Sequence, residues 1–280
     1  MTNILETKNL SKKLNEFLLN NINLEIASNS IIGLIGENGS GKTTLIKCIL
    51  MLYKIDNGLI KFENVERCRE QNDKIGVVFD ENPFFNEYSI NEVDKICASL
   101  FKDWDSSKFF ELVNKFSVLS KKKIKNFSRG MKMKLYLAIA LSHNSELLIL
   151  DEATAGLDPI MRREILHILK DYAKKDNNSI LISSHICSDL EAIADIIILM
   201  DKGEIKLVDY KTKLLEKYSM SNIEEKQFIK YRNYFIKYIK RDDKYCVLID
   251  NNRKDLLKNI NLLVPQLDDI AELFIRGESI

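Results

Sequence analysis

Residues 36–43, Gly36-Glu37-Asn38-Gly39-Ser40-Gly41-Lys42-Thr43, place three glycines, a lysine and a hydroxyl in the spacing G-x-x-x-x-G-K-[ST]. Glycines let the main chain wrap closely around an anion with its N–H groups pointing inward. Lys42 supplies a positive charge for the β- and γ-phosphates of a nucleotide, and the Thr43 hydroxyl can ligate Mg²⁺. Gly36, Asn38, Gly39, Ser40, Gly41, Lys42, Thr43 and Thr44 are therefore the expected phosphate-binding set. The plain alternative is a turn that binds nothing. An apolar run before the motif and a helical pattern after it favour binding.

Two further groups could act on a bound phosphate. Leu147-Leu148-Ile149-Leu150 is a short apolar run that delivers Asp151 and Glu152 at its end. Asp151 is placed to hold Mg²⁺ and Glu152 to polarise an attacking water as a general base. Ile180-Leu181-Ile182-Ser183-Ser184 likewise ends in His185. In an open α/β sheet, ligands sit at the C-terminal ends of the strands, so these side chains should meet one edge. There His185 could touch a γ-phosphate or the attacking water. His143 and His167 lie in loop or helical contexts and read as structural.

The elements that must position these groups alternate in the manner of a parallel α/β sheet. Strands are expected at 31–35, 74–79, 147–150 and 180–183. Helices are expected at 42–53, 90–119, 131–141, 159–175 and 186–194, the fourth opening on Pro159. Residues 196–200 and 204–208 read as a hairpin joined by Asp201-Lys202-Gly203. Beyond about residue 210 glycine nearly vanishes and aromatics mix with Lys and Arg. In 226–241 the residues Phe228, Tyr231, Phe235 and Tyr238 fall at helical spacing, predicting an amphipathic helix. Residues 245–250 are the clearest strand of that region.

The chain has 280 residues, 45% of them apolar and 30% charged, enough to bury a substantial core. Its net charge of +1 gives no electrostatic case for nucleic acid as a partner. The five cysteines are scattered with no C-x-x-C pair, which argues against disulfides and zinc and for a reducing, cytosolic compartment. The N-terminal residues lack the apolar segment of a signal peptide. No run of about 18 uncharged apolar residues exists to span a bilayer.

Phe127-Ser128-Arg129-Gly130-Met131 and Ala155-Gly156-Leu157-Asp158 complete a set of five ordered motifs that resembles the ABC (ATP-binding cassette) ATPases over about residues 1–210. The resemblance implies an α/β P-loop NTPase of ABC type: a mixed core sheet with flanking helices, an N-terminal antiparallel β-subdomain and a helical subdomain at about 82–142. A small α+β appendage would follow at 211–280. It implies ATP and Mg²⁺ as cofactors, with Thr43, Asp80 and Asp151 at the metal, Glu152 as base and His185 as γ-phosphate sensor. ATP would be sandwiched between two subunits, as a homodimer, with Ser128, Arg129 and Gly130 closing the partner's site and Asp158 linking the two sites. Ser128 precedes a helical segment and so offers a hydroxyl and a helix N-terminus to an anion.

Several residues depart from the family pattern. Arg129 and Met131 replace Gly and Gln, and Ala153 replaces the usual proline. Asp80 stands where a glutamine is usual. Leu14 stands where an aromatic would stack on adenine, with Phe17 as a candidate substitute. These departures resemble the drug- and antibiotic-exporter branch, the bacitracin-export group in particular. The implied role is a cytoplasmic ATPase, peripheral on the inner face of the membrane, that drives a separate membrane-spanning permease docked near residues 80–88, with no nucleic-acid partner. A soluble ABC ATPase of the iron–sulfur-assembly kind and a non-catalytic ATP-binding regulator are the alternatives.

Overall fold

The computed structural model describes residues 3–79, 85–118, 122–174, 178–257 and 259–280. The chain opens on a long antiparallel hairpin, β1 (Asn3–Leu14) and β2 (Phe17–Ala27), turning at Asn15 with a φ of 51° that asparagine tolerates. β3 (Ile31–Ile35) is buried at every residue and runs through the glycine-rich loop into α1 (Lys42–Ile49). β4 (Asn57–Phe62) and β5 (Val65–Glu66) return to the first hairpin. β6 (Ile75–Phe79) is followed by α2 (Ile90–Leu100), α3 (Ser106–Lys115) and α4 (Arg129–Leu141). The chain then alternates through β7 (Leu147–Asp151), α5 (Pro159–Ala173), β8 (Ser179–Ser184), α6 (Cys187–Ile193), β9 (Ile196–Asp201) and β10 (Glu204–Tyr210). The final segment holds α7 (Lys211–Lys217), β11 (Tyr218–Glu224), α8 (Glu225–Tyr231), β12 (Phe235–Arg241), β13 (Lys244–Asp250), α9 (Leu267–Arg276) and β14 (Glu278–Ser279).

Among the described residues the strands form three sheets. An N-terminal antiparallel sheet has the order β2-β1-β4-β5 and a C-terminal one the order β11-β13-β12-β14. The central sheet has the order β10-β9-β3-β8-β7-β6, parallel from β9 to β6 with β10 antiparallel at the edge. This is the mixed α/β architecture expected, with an antiparallel N-terminal layer and a run of helices between β6 and β7.

The central strands bury both faces because side chains alternate along a strand. Ile32 and Leu34 of β3 enter one core, with Leu5, Ile22, Leu45 and Ile46. Ile31 and Ile35 enter the other, with Leu148, Leu150, Ile180 and Leu190. Each such side chain contributes about 1.5–3 kcal/mol of burial. The second core also takes in Leu214, Tyr218, Leu248, Leu267, Ile270 and Leu273, so apolar packing runs on unbroken beyond residue 210. A small separate cluster gathers Phe228, Phe235, Tyr245 and Val247.

Three elements differ from the sequence expectation. α1 ends at Ile49 rather than near residue 53. Met51 adopts a φ of 57°, and the Met51 and Leu52 amides donate back to the carbonyls of Cys48 and Lys47, the two bonds of a Schellman stop. The helical stretch expected over 90–119 is broken between α2 and α3. There Asp105 caps α3 by accepting from the Lys108 amide, and Trp104 pairs with His143. The amphipathic helix expected over 226–241 is also wrong. α8 stops at Tyr231, and Phe235–Arg241 is β12, joined to β13 by a tight turn at Asp242, φ 49°. Phe228 still meets Phe235 and Tyr238, at ring separations of 5.9 and 4.7 Å, but from α8 onto β12 rather than along one helix. Pairing with β13 outweighed the helical spacing of four aromatics.

Candidate functional site

β3, β8 and β7 lie side by side, with Ile35 opposite Ser184 and Ser183 opposite Asp151. Their C-terminal ends therefore release the glycine-rich loop, His185 and the Asp151-Glu152 pair along one edge. The loop is tightly held. Gly36 has no room for a Cβ, which would strike the Ser40 side chain and the Met200 carbonyl. Gly41 turns with a φ of 110° beneath the Phe17 ring, a conformation that favours glycine. The β9–β10 turn supports the loop from below, the Gly203 amide donating to the Ser40 carbonyl at 2.9 Å.

Lys42 is buried, and its Nζ donates to the carbonyls of Gly36 (2.7 Å) and Glu37 (3.2 Å) and pairs with Glu152 Oε1 at 3.2 Å. The other oxygen of Glu152 lies 2.7 Å from His185 Nδ1. A carboxylate oxygen only accepts, so Nδ1 carries the proton. Thr43 Oγ1 donates to Asp151 Oδ2 at 2.7 Å, and Ser183 Oγ donates to Asp151 Oδ1 at 2.6 Å. Five of the sequence-selected residues thus form one connected cluster: Lys42, Thr43, Asp151, Glu152 and His185.

Glu152 has a φ of 54°, an unusual backbone for a non-glycine residue. Its amide is held by Ser183, at 3.0 Å to Oγ and 3.2 Å to the carbonyl oxygen. Ser183 therefore fixes both acids at once. Sequence reasoning passed over it as a strand residue, although its position two before His185 on a strand adjoining β7 was the available signal.

A second group went unnoticed in the sequence. Asp189, on α6 four residues after His185, is almost fully buried, with Arg162 Nε of α5 3.7 Å away. Burial pushes its carboxyl above the usual aspartate range, and Thr154, Arg162 and His185 pull it back. Arg162 also reaches the Leu157 carbonyl, at 3.4 Å. The loop between Glu152 and α5 is thereby tied to the helix that follows His185.

Asn38, Gly39, Gly41, Lys42, Thr43, Thr44 and Glu152 line a cavity of about 370 Å³ together with Leu14 and Phe17. Both positions weighed for base contact thus line this cavity, and only Phe17 offers a ring. The Ser40 hydroxyl is buried and makes no hydrogen bond among the described residues.

Ser128, Arg129 and Gly130 are absent from that lining. Ser128 caps α4, accepting from the Met131 amide at 3.2 Å, Gly130 packs on Met161, and Arg129 packs over Gly156. Asp158 caps α5, accepting from the Ile160 and Met161 amides at 3.0 Å each, which holds its carboxyl below the usual range. Arg129 and Gly130 thus pack on Gly156 and Met161 rather than on the cavity beside Lys42. Asp80 and the first part of the 80–88 segment lie outside the described residues.

His143 is buried, stacked on Phe101 at 4.4 Å with Nδ1 3.0 Å from the Asp73 carbonyl, and burial lowers its pKa. His167 is exposed beside Asp171. Neither approaches the cluster.

A family model described as ABC transporter matches residues 19–155. The chain is 37% identical over 207 residues to the lantibiotic transport ATP-binding protein SrtF of Streptococcus pyogenes, covering 73% of this chain and 90% of that protein. It is 36% identical over 215 residues to the bacitracin transport ATP-binding protein BcrA of Enterococcus faecalis, covering 73% and 68%. Among solved structures, cbiO1 from Clostridium perfringens, described as part of the ABC transporter complex cbiONQ, superposes with a TM-score of 0.68 at 23% identity. It covers 83% of this chain and 95% of that one, a likeness of fold.

Proposed function

The chain belongs to the ABC transporter ATP-binding family and is an ATPase, and on that premise we propose that it is the motor of an antibiotic-type exporter, with residues 1–210 as its nucleotide-binding part. The observation that carries the site assignment is the connected cluster of Lys42, Glu152 and His185 on one side and Thr43 with Asp151 on the other. A nucleotide phosphate at the loop competes with the Glu152 carboxylate for Lys42. Glu152, released from Lys42, then orients and deprotonates the attacking water, with His185 steadying its other oxygen. The Ser40 hydroxyl and the loop amides complete the phosphate cradle, and Phe17 stacks on the base.

Thr43 Oγ1 and Asp151 Oδ2 are adjacent hard oxygen donors, a set that fits Mg²⁺, which needs only one or two protein ligands beside phosphate oxygens. Thr43 and Asp151, with Asp80, would hold it. When bound, Mg²⁺ neutralises charge on the phosphates.

Ser128, Arg129 and Gly130 act on the site of a second copy, and Asp158 links the two sites. The residue 128 hydroxyl at the head of α4 is a ready anion contact for that copy's γ-phosphate. The membrane path belongs to a separate permease, as in transport ATP-binding relatives; among the described residues no helix is long and apolar enough to cross a membrane. The chain then works on the inner membrane face, bound to that permease near residues 80–88.

The test is purification of the tagged Glu152→Gln variant from its own cells in mild detergent with ATP present. The expected result is a dimer that retains ATP, with hydrolysis lowered about 10²–10⁴-fold, eluting with a multi-span membrane protein. Wild-type turnover would sink the base assignment. A lone chain, in a preparation that keeps other membrane complexes intact, would sink the exporter assignment.

A further inference from the structure

We infer that Arg276, at the far end of the C-terminal segment, is a positioning residue for nucleotide binding, acting on the phosphate loop through Glu37. Glu37 is the only acidic residue in the loop Gly36–Thr43. A carboxylate there opposes the very anion that the loop's amides and Lys42 attract. In the structure, Arg276 Nε and Nη2 both donate to Glu37 Oε1, at 2.9 and 2.5 Å. The guanidinium offsets the carboxylate's charge and draws the side chain outward. Consistent with that direction, Glu37 is absent from the residues lining the cavity over the loop.

Arg276 is not a loose terminal residue. It closes α9, whose apolar face, Leu267, Ile270, Ala271 and Leu273, is buried in the core shared with Leu190 and Ile193 of α6. The Leu267 amide donates to Glu191 of α6, at 3.3 Å. On its other side α9 is bound to the C-terminal sheet. Arg241 of β12 pairs with Glu272 at 2.5 Å, the Lys237 ammonium reaches the Gly277 carbonyl at 3.4 Å, and β14 pairs with β12. One continuous set of contacts therefore leads from the C-terminal sheet through α9 to two parts of the ATP site: the phosphate loop, and the helix after His185. Both partners of the ion pair are more than half exposed. The effect is accordingly modest and screened by salt.

The inference rests on the assignment of the loop as an ATP site, and the wild-type titration tests that assignment separately. ATP binding and steady-state hydrolysis are measured for wild type, Arg276→Ala, Glu37→Gln and the double variant, at low and at high salt. The expected result is a KM and Kd for ATP raised about two- to fivefold in Arg276→Ala at low salt, with kcat unchanged and the effect fading at high salt. In the Glu37→Gln background the same arginine change should have no effect, and Arg276→Lys should recover part of the wild-type affinity. Wild type that fails to bind ATP would overturn the loop assignment itself. Wild type that binds, with Arg276→Ala indistinguishable from it, would overturn the role of Arg276. An equal loss with or without Glu37 would also overturn it, since the arginine would then act by a route that does not pass through Glu37.

Discussion

At the residue scale the site is organised by two carboxylates with different duties. Asp151 accepts from Thr43 and Ser183, which leaves it fixed between loop and strand. Glu152 instead bridges Lys42 and His185 on a left-handed backbone. Ser183 supports both, so its hydroxyl matters more than its place in a buried strand suggests. Ser183→Ala removes the donor to Asp151 and one of the two acceptors of the Glu152 amide, leaving the Ser183 carbonyl in place. We expect a loss of about 1–3 kcal/mol of stability from the buried Asp151 oxygen left without that donor. A fall in kcat that exceeds any rise in KM is also expected, because Glu152, the proposed base, loses its register while the glycine-rich loop stays intact. Denaturant unfolding with steady-state kinetics checks this. Unchanged kcat with lowered stability would make Ser183 purely structural.

At the scale of elements, stops and caps decide where side chains arrive. Asp158, Asp105 and Ser128 each begin a helix by accepting backbone amides. α1, by contrast, ends without glycine, on Met51 at φ 57°. The left-handed conformation costs a non-glycine residue about 1–2 kcal/mol. Glycine at the same place gives up about 0.5–1 kcal/mol of that gain through its freer unfolded chain. Met51→Gly is therefore expected to stabilise the protein by about 0.5–1 kcal/mol and raise Tm by roughly 2 °C, without altering ATP turnover. A lowered Tm in calorimetry would mean that the Met51 side chain contributes packing that outweighs its backbone strain.

At the scale of the whole molecule, one core runs from the central sheet through α6 to α9, so the C-terminal segment shares the stability of the central sheet. The cysteines report on this. Cys48, Cys97, Cys187 and Cys246 are buried, and Cys68 is exposed. Burial pushes the Cys48 thiol up to about 11 and those of Cys97 and Cys187 to about 12. The thiolate is the reactive form. Native protein treated with iodoacetamide near pH 8 should thus be alkylated at the exposed Cys68, with the buried Cys97 and Cys187 reacting far more slowly. Mass spectrometry of the peptides gives the answer. Fast labelling of Cys187, which faces α9 through Asp268, would mean that α9 does not stay docked on α6.

The sequence by itself determined the fold class, the family and most of the sheet. Gly36–Thr43, Asp151-Glu152 and His185 were legible because each follows an apolar run too short and too uniform to be anything but a buried strand, and phosphate chemistry dictates the spacing inside the loop. The expected α/β class and the β9–β10 hairpin followed from the same local signals. Local signals failed where long-range pairing outweighed them: 226–241 has helical spacing, yet Phe235–Arg241 became a strand once β13 and β14 were available on either side. The roles of Ser183, Asp189 and Arg162 also depended on the fold, because they arise from neighbours 32, 27 and 27 positions away, brought together only when β7 and β8 pair and α5 meets α6. The contact between Arg276 and Glu37 spans 239 positions. No pattern within either segment encodes it, since it exists only once α9 has packed on α6.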